Sequence, residues 1–407
     1  MGKPGTELFS EYLIFYNFVS NGDEDPVVSK HQTTMKNKLI GFIGILVIIG
    51  LAIFFIWRGK RAGLSEEGPW YHRADTASVA LVENFWNKEL HYCNYDSAGD
   101  TTFHYWPQAH ALDVFTDWYL RSKDSRVLEL YDQWYEGVPA ANEGGFWNPY
   151  YDDMEWNGIA ALRAYKATGQ ERFLEAAQQL WEFILPGWNE QAEGGITWKK
   201  GLEWSKNACS NGPGAILAAR LYQELKRPED LDWARRIYAW EKEVLFDNGA
   251  IYDNINAQTG KVAKFCLTYN QGTFIGAAVE LYRITGEHSY IGDAILAADY
   301  TLEHLTVEGD ILQPEGTGDG GIFKGIFVRY FTQLILQGDL DADTRGRYIA
   351  FLAHNAETLW AAGITTDGRI GPDWRSRPGT PSAMTPQLSG CMLVEAMALL
   401  EREGLLP

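Results

Sequence analysis

The 407-residue chain predicts an all-α protein: an (α/α)6 barrel of six helical hairpins, preceded by a single N-terminal membrane-anchor helix. Three observations lead there. From about residue 74 onward, apolar residues recur at three- and four-residue spacing, in about twelve segments of roughly 14–20 residues, which is the period of an amphipathic helix. The segments come in pairs, with short turns such as Ala167-Thr168-Gly169-Gln170 and Thr285-Gly286-Glu287 inside a pair and longer Gly-, Asx- and aromatic-rich connections between pairs. Three pairs align without gaps: ALRAYKATGQERFLEAA (161–177), AARLYQELKRPEDLDWA (218–234) and AVELYRITGEHSYIGDA (278–294), which makes Tyr165, Tyr222 and Tyr282 equivalent. A repeated helical hairpin does not bury its apolar face alone, so it implies an array, and six pairs suit a closed ring.

The N-terminal elements come first. Leu39–Trp57 (LIGFIGILVIIGLAIFFIW) is an uncharged apolar run long enough to cross a bilayer as a helix. It exceeds a usual signal-peptide core and no small-x-small cleavage site follows it, so it reads as an uncleaved anchor. Lys36 and Lys38 precede it and Arg58, Lys60 and Arg61 follow it, which leaves its orientation open. MKNK from Met35 looks like a membrane-targeting start, which makes residues 1–34 a spurious or disordered extension. The expected division is an unstructured 1–38, the anchor at 39–57, a linker at 58–74 and the barrel at 75–407.

Helices are expected near 76–91, 107–121, 124–137, 153–167, 171–185, 212–225, 229–246, 270–284, 288–304, 321–337, 342–361 and 383–402. Four second helices are followed by Gly-containing turns ending in a small or apolar residue: Glu193-Gly194-Gly195-Ile196, Asp247-Asn248-Gly249-Ala250, Glu308-Gly309-Asp310-Ile311 and Asp367-Gly368-Arg369-Ile370. These predict small β-turns or hairpins at one end of the ring. All six inner helices then start at the same rim, where their entry loops converge.

Composition narrows the chemistry. A net charge of -19 repels polyanions, so nucleic acid and anionic glycans are excluded as natural partners, while a neutral polysaccharide is acceptable. The aromatic share of 14% suits a surface that stacks on the apolar faces of sugars, although helical cores also consume aromatics. Cys93, Cys209, Cys266 and Cys391 lie far apart without metal-ligand spacing and read as small buried residues.

Asp152 and Asp153 stand where a long loop enters an inner helix. Neighbouring residues there diverge by about 100°, so two carboxyls can flank a bond about 5 Å apart, the separation of retaining glycosidases. Alone, such a pair more often caps a helix. The setting shifts the balance: Tyr150 and Tyr151 before it, Glu155 and Trp156 after it, and a central rim.

YYDDMEWNGIAALRAYKATG (150–169) resembles the signature segment of glycoside hydrolase family 76, the endo-α-1,6-mannanases. YWPQAHALDVFTD (105–117), NACSNGPGAILAARLY (207–222), YNQGTFIGAAVELYRITG (269–286) and GIFKGIFVRY (321–330) are similar to family segments, in family order. The resemblance implies an (α/α)6 barrel, no metal or other cofactor, and an endo-acting, retaining α-1,6-mannanase that works through a covalent mannosyl-enzyme. Carried over, Asp152 is the nucleophile and Asp153 the acid/base. The substrate is then α-mannan or an α-1,6-linked manno-oligosaccharide, and a monomeric, secreted or membrane-anchored enzyme acting outside the cytoplasm is expected. Transglycosylation in wall assembly and a non-catalytic carbohydrate-binding scaffold are the alternatives. A uronate-specific barrel enzyme is disfavoured by the scarcity of Arg and Lys in the rim loops.

Trp106, Tyr150, Tyr151 and Trp156 are candidate sugar-stacking residues, and Asn211, Asn270, Gln271 and Asp319 candidate hydroxyl partners. Lys324, Arg329, Asp373 and Trp374 are weaker candidates. His104 and His110 can be core residues, since nothing here requires a histidine base.

Overall fold

The structure, a computed structural model, describes residues 68–406. The expected extension 1–38 and anchor Leu39–Trp57 lie outside those residues. Among the described residues, no helix is long and apolar enough to cross a membrane.

Twelve α-helices follow: α1 (Pro69–Phe85), α2 (Tyr105–Ser122), α3 (Arg126–Ala141), α4 (Tyr151–Thr168), α5 (Glu171–Ile184), α6 (Gly212–Leu225), α7 (Pro228–Leu245), α8 (Thr268–Thr285), α9 (His288–His304), α10 (Gly320–Gln337), α11 (Ala342–Thr358) and α12 (Met384–Arg402). The even-numbered helices form an inner ring, each packed on the next, with α12 closing on α2. The odd-numbered helices lie outside, and α1 packs on α12 to complete the sixth pair.

Burial separates the two layers. Every residue of α8 from Thr268 to Leu281 is buried, as is every residue of α12 from Met384 to Ala398. Outer α9 buries a single stripe that includes Ile291, Ala294, Ala297 and Ala298. A helix surrounded on all sides needs no polar face. Two glycines allow the inner helices to approach closely: a Cβ on Gly272 would lie 2.6 Å from the Phe327 Cα, and one on Gly325 2.6 Å from the Ser389 Cα.

The gapless repeat has a backbone counterpart. Gly169, Lys226 and Gly286 end α4, α6 and α8 in the left-handed region, at φ of 71°, 58° and 73°. Their N–H groups donate to the carbonyls of Tyr165, Tyr222 and Tyr282 at 2.7, 2.9 and 2.7 Å. This closes the last helical turn and sends the chain directly into the outer helix.

The Gly-containing turns are short hairpins. β4 (Phe246–Asp247) pairs with β5 (Ala250–Ile251), β8 (Thr306–Val307) with β9 (Ile311–Leu312), and isolated bridges join Trp188 to Ile196 and Ile364 to Ile370. A further hairpin, β1 (Trp86–Asn87) with β2 (Tyr92–Cys93), replaces the C-terminal end of the helix expected over 76–91. That helix starts earlier than expected, with Pro69 at its first position, where a missing N–H costs nothing, and with Trp70 buried. Residues 69–74, expected in the linker, therefore belong to the barrel. The helix expected to reach residue 361 ends at Thr358 and continues as a wider turn over Leu359–Gly363, where Gly363 abuts the Trp374 backbone.

Each of four hairpins is clamped by an amide at the start of the next inner helix. Gln108 accepts from Cys93 N at 2.8 Å and donates to Cys93 O at 3.0 Å. Asn211 does the same for Ile196, at 2.9 and 3.1 Å. Gln271 accepts from Ile251 N at 2.6 Å, and Gln387 from Ile370 N at 2.8 Å. Gln108, Gln271 and Gln387 are each the fourth residue of their helix.

The far end of the ring is charged. Arg163 bridges Asp113 and Asp117, Arg329 meets Asp117 at 3.0 Å, Arg121 meets Glu395 at 2.9 Å and Arg220 meets Glu280 at 2.7 Å.

Candidate active site

The inner-helix N-termini converge, as their order demands, on a groove of about 660 Å³. Trp106 of α2, Asp152 and Asp153 of α4, Tyr269 of α8 and Phe323 of α10 reach it directly, with Cys209 from the short helical turn that leads into α6. A three-stranded sheet at the rim, β3 (Ser205–Asn207), β6 (Asn254–Asn256) and β7 (Lys261–Ala263), holds Asn207 and the adjoining Asp253 at the groove.

The start of α4 is fixed from two sides. Asn148 accepts from Tyr150 N at 3.0 Å, Trp198 O accepts from Tyr151 N at 2.9 Å, and Lys199 Nζ donates to the Tyr150 hydroxyl at 2.9 Å. This orients the first turn of the helix, where both aspartates stand and where the helix dipole favours negative charge.

The two carboxyls have unequal surroundings. Burial raises the proton affinity of both. For Asp152, pushed up to about 7, that effect is opposed by donors: the Cys209 thiol, the backbone N–H groups of residues 152 and 153, and the Trp198 side chain. Its Oδ1 nonetheless has no hydrogen bond of ordinary geometry within the protein. For Asp153 nothing opposes burial, and the neighbouring Asp152 and Asp319 push it well above the usual carboxylate range. The donors around Asp152 and the acidic neighbours of Asp153 both bias a shared proton toward Asp153. An ionised carboxylate beside a protonated one is what nucleophilic attack with acid assistance requires.

Aromatic rings gather on both sides. Trp198 packs against Tyr150 at 5.1 Å beside Asp152. Next to Asp153, Asp319 accepts from Trp106 Nε1 at 3.0 Å, and Trp106 leads to Phe323, which stacks on Tyr269 at 4.0 Å. Trp156 forms the buried floor, 6.3 Å from Trp106. His110 lies beneath both, 4.9 Å from Trp156, and burial drives its pKa down to about 3, so the ring is neutral; it does not line the groove.

Of the expected site residues, Asp152, Asp153, Trp106, Tyr150, Trp156 and Asp319 meet in the groove. Four do not. Tyr151 turns its ring inward against Gly187. Asn211 and Gln271 are fully buried as hairpin clamps. Asn270 is buried behind the groove, where its Nδ2 donates to Asp253 at 3.2 Å. The weaker candidates are mostly structural: Lys324 is buried and donates to Pro372 O at 2.6 Å over the Trp374 ring, Asp373 pairs with Arg375, and Arg329 belongs to the far-end network. His104 does line the groove.

Trp147, Trp198, Asn207, Cys209, Asp253, Tyr269 and Phe323 also line it and were not singled out from sequence. Asn207 and Cys209 open the NACSNGP segment and Tyr269 opens the YNQG segment, so proximity to those motifs was their available signal. Trp198 and Asp253 sit in aperiodic stretches that carry none.

A closed helical ring with adjacent carboxyls in an aromatic-lined groove defines a barrel of the glycosidase kind. The chain belongs to glycosyl hydrolase family 76, which it matches over residues 69–406. It is similar to the GH76A alpha-1,6-mannanase from Salegentibacter, at 42% identity and a TM-score of 0.79, covering 81% of this chain and 99% of that one. A variant of that mannanase, inactive through replacement of two consecutive aspartates and in complex with alpha-1,6-mannotetrose, matches equally well, at 41% identity and a TM-score of 0.79 over 82% of this chain and 100% of that one. The mannan endo-1,6-alpha-mannosidases DCW1 of Candida glabrata and Saccharomyces cerevisiae are 31% and 27% identical over 243 residues, 54% of this chain and 53% of theirs. The chain thus spans about half the length of these yeast relatives.

Proposed function

We propose that this chain is an endo-acting α-1,6-mannanase that hydrolyses α-mannan by double displacement. The observation that carries the reading is the unequal setting of Asp152 and Asp153. Asp152, ionised, attacks the anomeric carbon as the glycosidic C–O bond breaks, and Asp153 delivers its proton to the departing oxygen. A mannosyl ester on Asp152 results. Asp153, now a carboxylate, takes a proton from water, whose oxygen attacks the anomeric carbon, frees Asp152 and restores the α configuration. Aromatic groups beside each carboxyl, Trp198 with Tyr150 and Trp106 with Phe323, offer ring-stacking surfaces on both sides of the scissile bond, as cleavage within a chain requires. The inactive relative with two replaced aspartates supports the same pair. We read the domain as working outside the cytoplasm, secreted or held at a membrane through Leu39–Trp57, because that run is long enough to cross a bilayer.

The test is linear α-1,6-mannan with the parent chain, Asp152→Asn and Asp153→Asn. Both variants should lose at least about 10³-fold in turnover while melting as the parent does. A near-normal rate in either variant removes the role given to that residue. Release of β-configured product overturns the double displacement.

A further inference from the structure

Trp147 is an exposed large hydrophobic side chain, 41% accessible, and it lines the catalytic groove. It sits on the loop that joins α3 to α4, between two residues with opposite tasks. Phe146 is buried against Tyr135 at 5.7 Å, and its carbonyl accepts from the Tyr105 hydroxyl at 3.1 Å. Asn148 holds the start of α4 and donates to Asn142 Oδ1 at 2.9 Å. The Asn142 amide in turn donates to Gly145 O at 2.7 Å and to Trp147 O at 3.0 Å. Gly144, at φ 86°, makes the turn that aims Phe146 inward. The Trp147 backbone is therefore clamped at its own carbonyl and on both flanks, and its indole projects from a rigid base.

Leaving a tryptophan in water forgoes the burial of a large apolar surface, so a rigidly presented, exposed indole at a groove is a binding surface in waiting. Lys200 Nζ stands 5.5 Å from the ring, and the residue remains 41% accessible. Trp147 lines the same groove as Asp152 and Asp153, and Trp198, not Trp147, is the tryptophan that donates to Asp152.

We propose that Trp147 forms a remote mannosyl subsite, a stacking platform through which the groove selects long chains over short ones. The inference rests on the α-1,6-mannan reading above. The occupant is a mannose ring of the bound chain, because the indole is continuous with the groove that holds the carboxyl pair. Stacking of one ring with no bond to the reacting atoms strengthens ground and transition states alike, so its loss appears in KM and not in kcat.

The experiment compares the parent chain, Trp147→Ala and Trp147→Phe on α-1,6-mannobiose, α-1,6-mannohexaose and polymeric α-1,6-mannan, by calorimetric binding and by kinetics. Trp147→Ala should bind the hexaose about tenfold more weakly and raise KM on the polymer by a similar factor, with kcat and mannobiose binding unchanged and Trp147→Phe recovering most of the loss. Equal losses on short and long chains, no loss on either, or a change of oligomeric state instead, overturns the subsite. A parent chain that binds and cleaves none of the mannans sinks the substrate reading itself, and the subsite with it. That outcome is recognisable without any variant.

Discussion

Replacing Gln271 by alanine separates two roles that an amide at a helix start can play. The sequence allows a sugar ligand or a structural amide; the structure makes Gln271 a clamp that accepts from Ile251 N at 2.6 Å and donates to Gly249 O at 2.8 Å, with all four groups buried. Alanine leaves two buried backbone groups without partners, at about 1–2 kcal/mol each. The void left by the missing amide and methylene adds about 1 kcal/mol. The sum, about 3–5 kcal/mol, lowers Tm by about 4–7 °C in a barrel of this size, at about 1.4 °C per kcal/mol. Scanning calorimetry measures it directly. Gln387→Ala is the internal control, because Gln387 makes the equivalent bond to Ile370 N at 2.8 Å and does not line the groove. Both variants should lose similar stability. A Gln271→Ala protein that melts within about 1 °C of the parent while KM for mannan rises would refute the clamp and restore the sugar ligand.

Two predictions concern protons. Asp319→Asn removes a negative charge that raises the proton affinity of Asp153 while keeping an acceptor for the Trp106 indole. The acid must be protonated to act, so the alkaline limb of the kcat/KM profile should move to lower pH; an unmoved limb contradicts the coupling. Glu241 is fully buried with neither carboxyl oxygen hydrogen-bonded, and desolvation raises its pKa well above the usual value. The unfolded chain releases that proton above about pH 4.3 while the folded chain keeps it, so this residue lowers stability progressively as pH rises. Glu241→Gln should therefore raise Tm at pH 8 by at least about 2 °C and leave it nearly unchanged at pH 4; a loss of stability at both values argues instead for a specific role of the carboxyl.

The barrel was legible because helical periodicity and pair spacing survive in the sequence, down to the turns at Gly169, Lys226 and Gly286. That Asp152 and Asp153 stand together at the groove was legible because the two residues are adjacent in the chain. The amides were misread for a physical reason: Asn211 and Gln271 can serve a sugar hydroxyl or a hairpin backbone with the same atoms, and composition does not separate the two. Their recurrence with Gln108 and Gln387 near the start of four inner helices was the available clue. Trp147 and Trp198 were invisible because loops carry no period, so only the folded chain shows which loop tryptophan faces the groove. The β1–β2 hairpin was absorbed into a helix because Trp86 and Leu90 keep helical spacing across the turn.

The common direction of the inner helices has an electrical consequence. Each helix start carries about half a positive elementary charge and each helix end the opposite, an effect felt within the first and last turns. The six inner helices therefore present their positive ends to the groove, even though the antiparallel outer helices offset the dipole of the barrel as a whole. The groove lies at those positive ends, where a buried carboxylate is least costly. Arg121, Arg163, Arg220 and Arg329 lie toward the opposite ends of the inner helices, each tethered to an acidic partner. Turned over, the same ring would suit a cationic centre and make a poor home for paired acids: the direction of its helices decides which mouth can carry this chemistry.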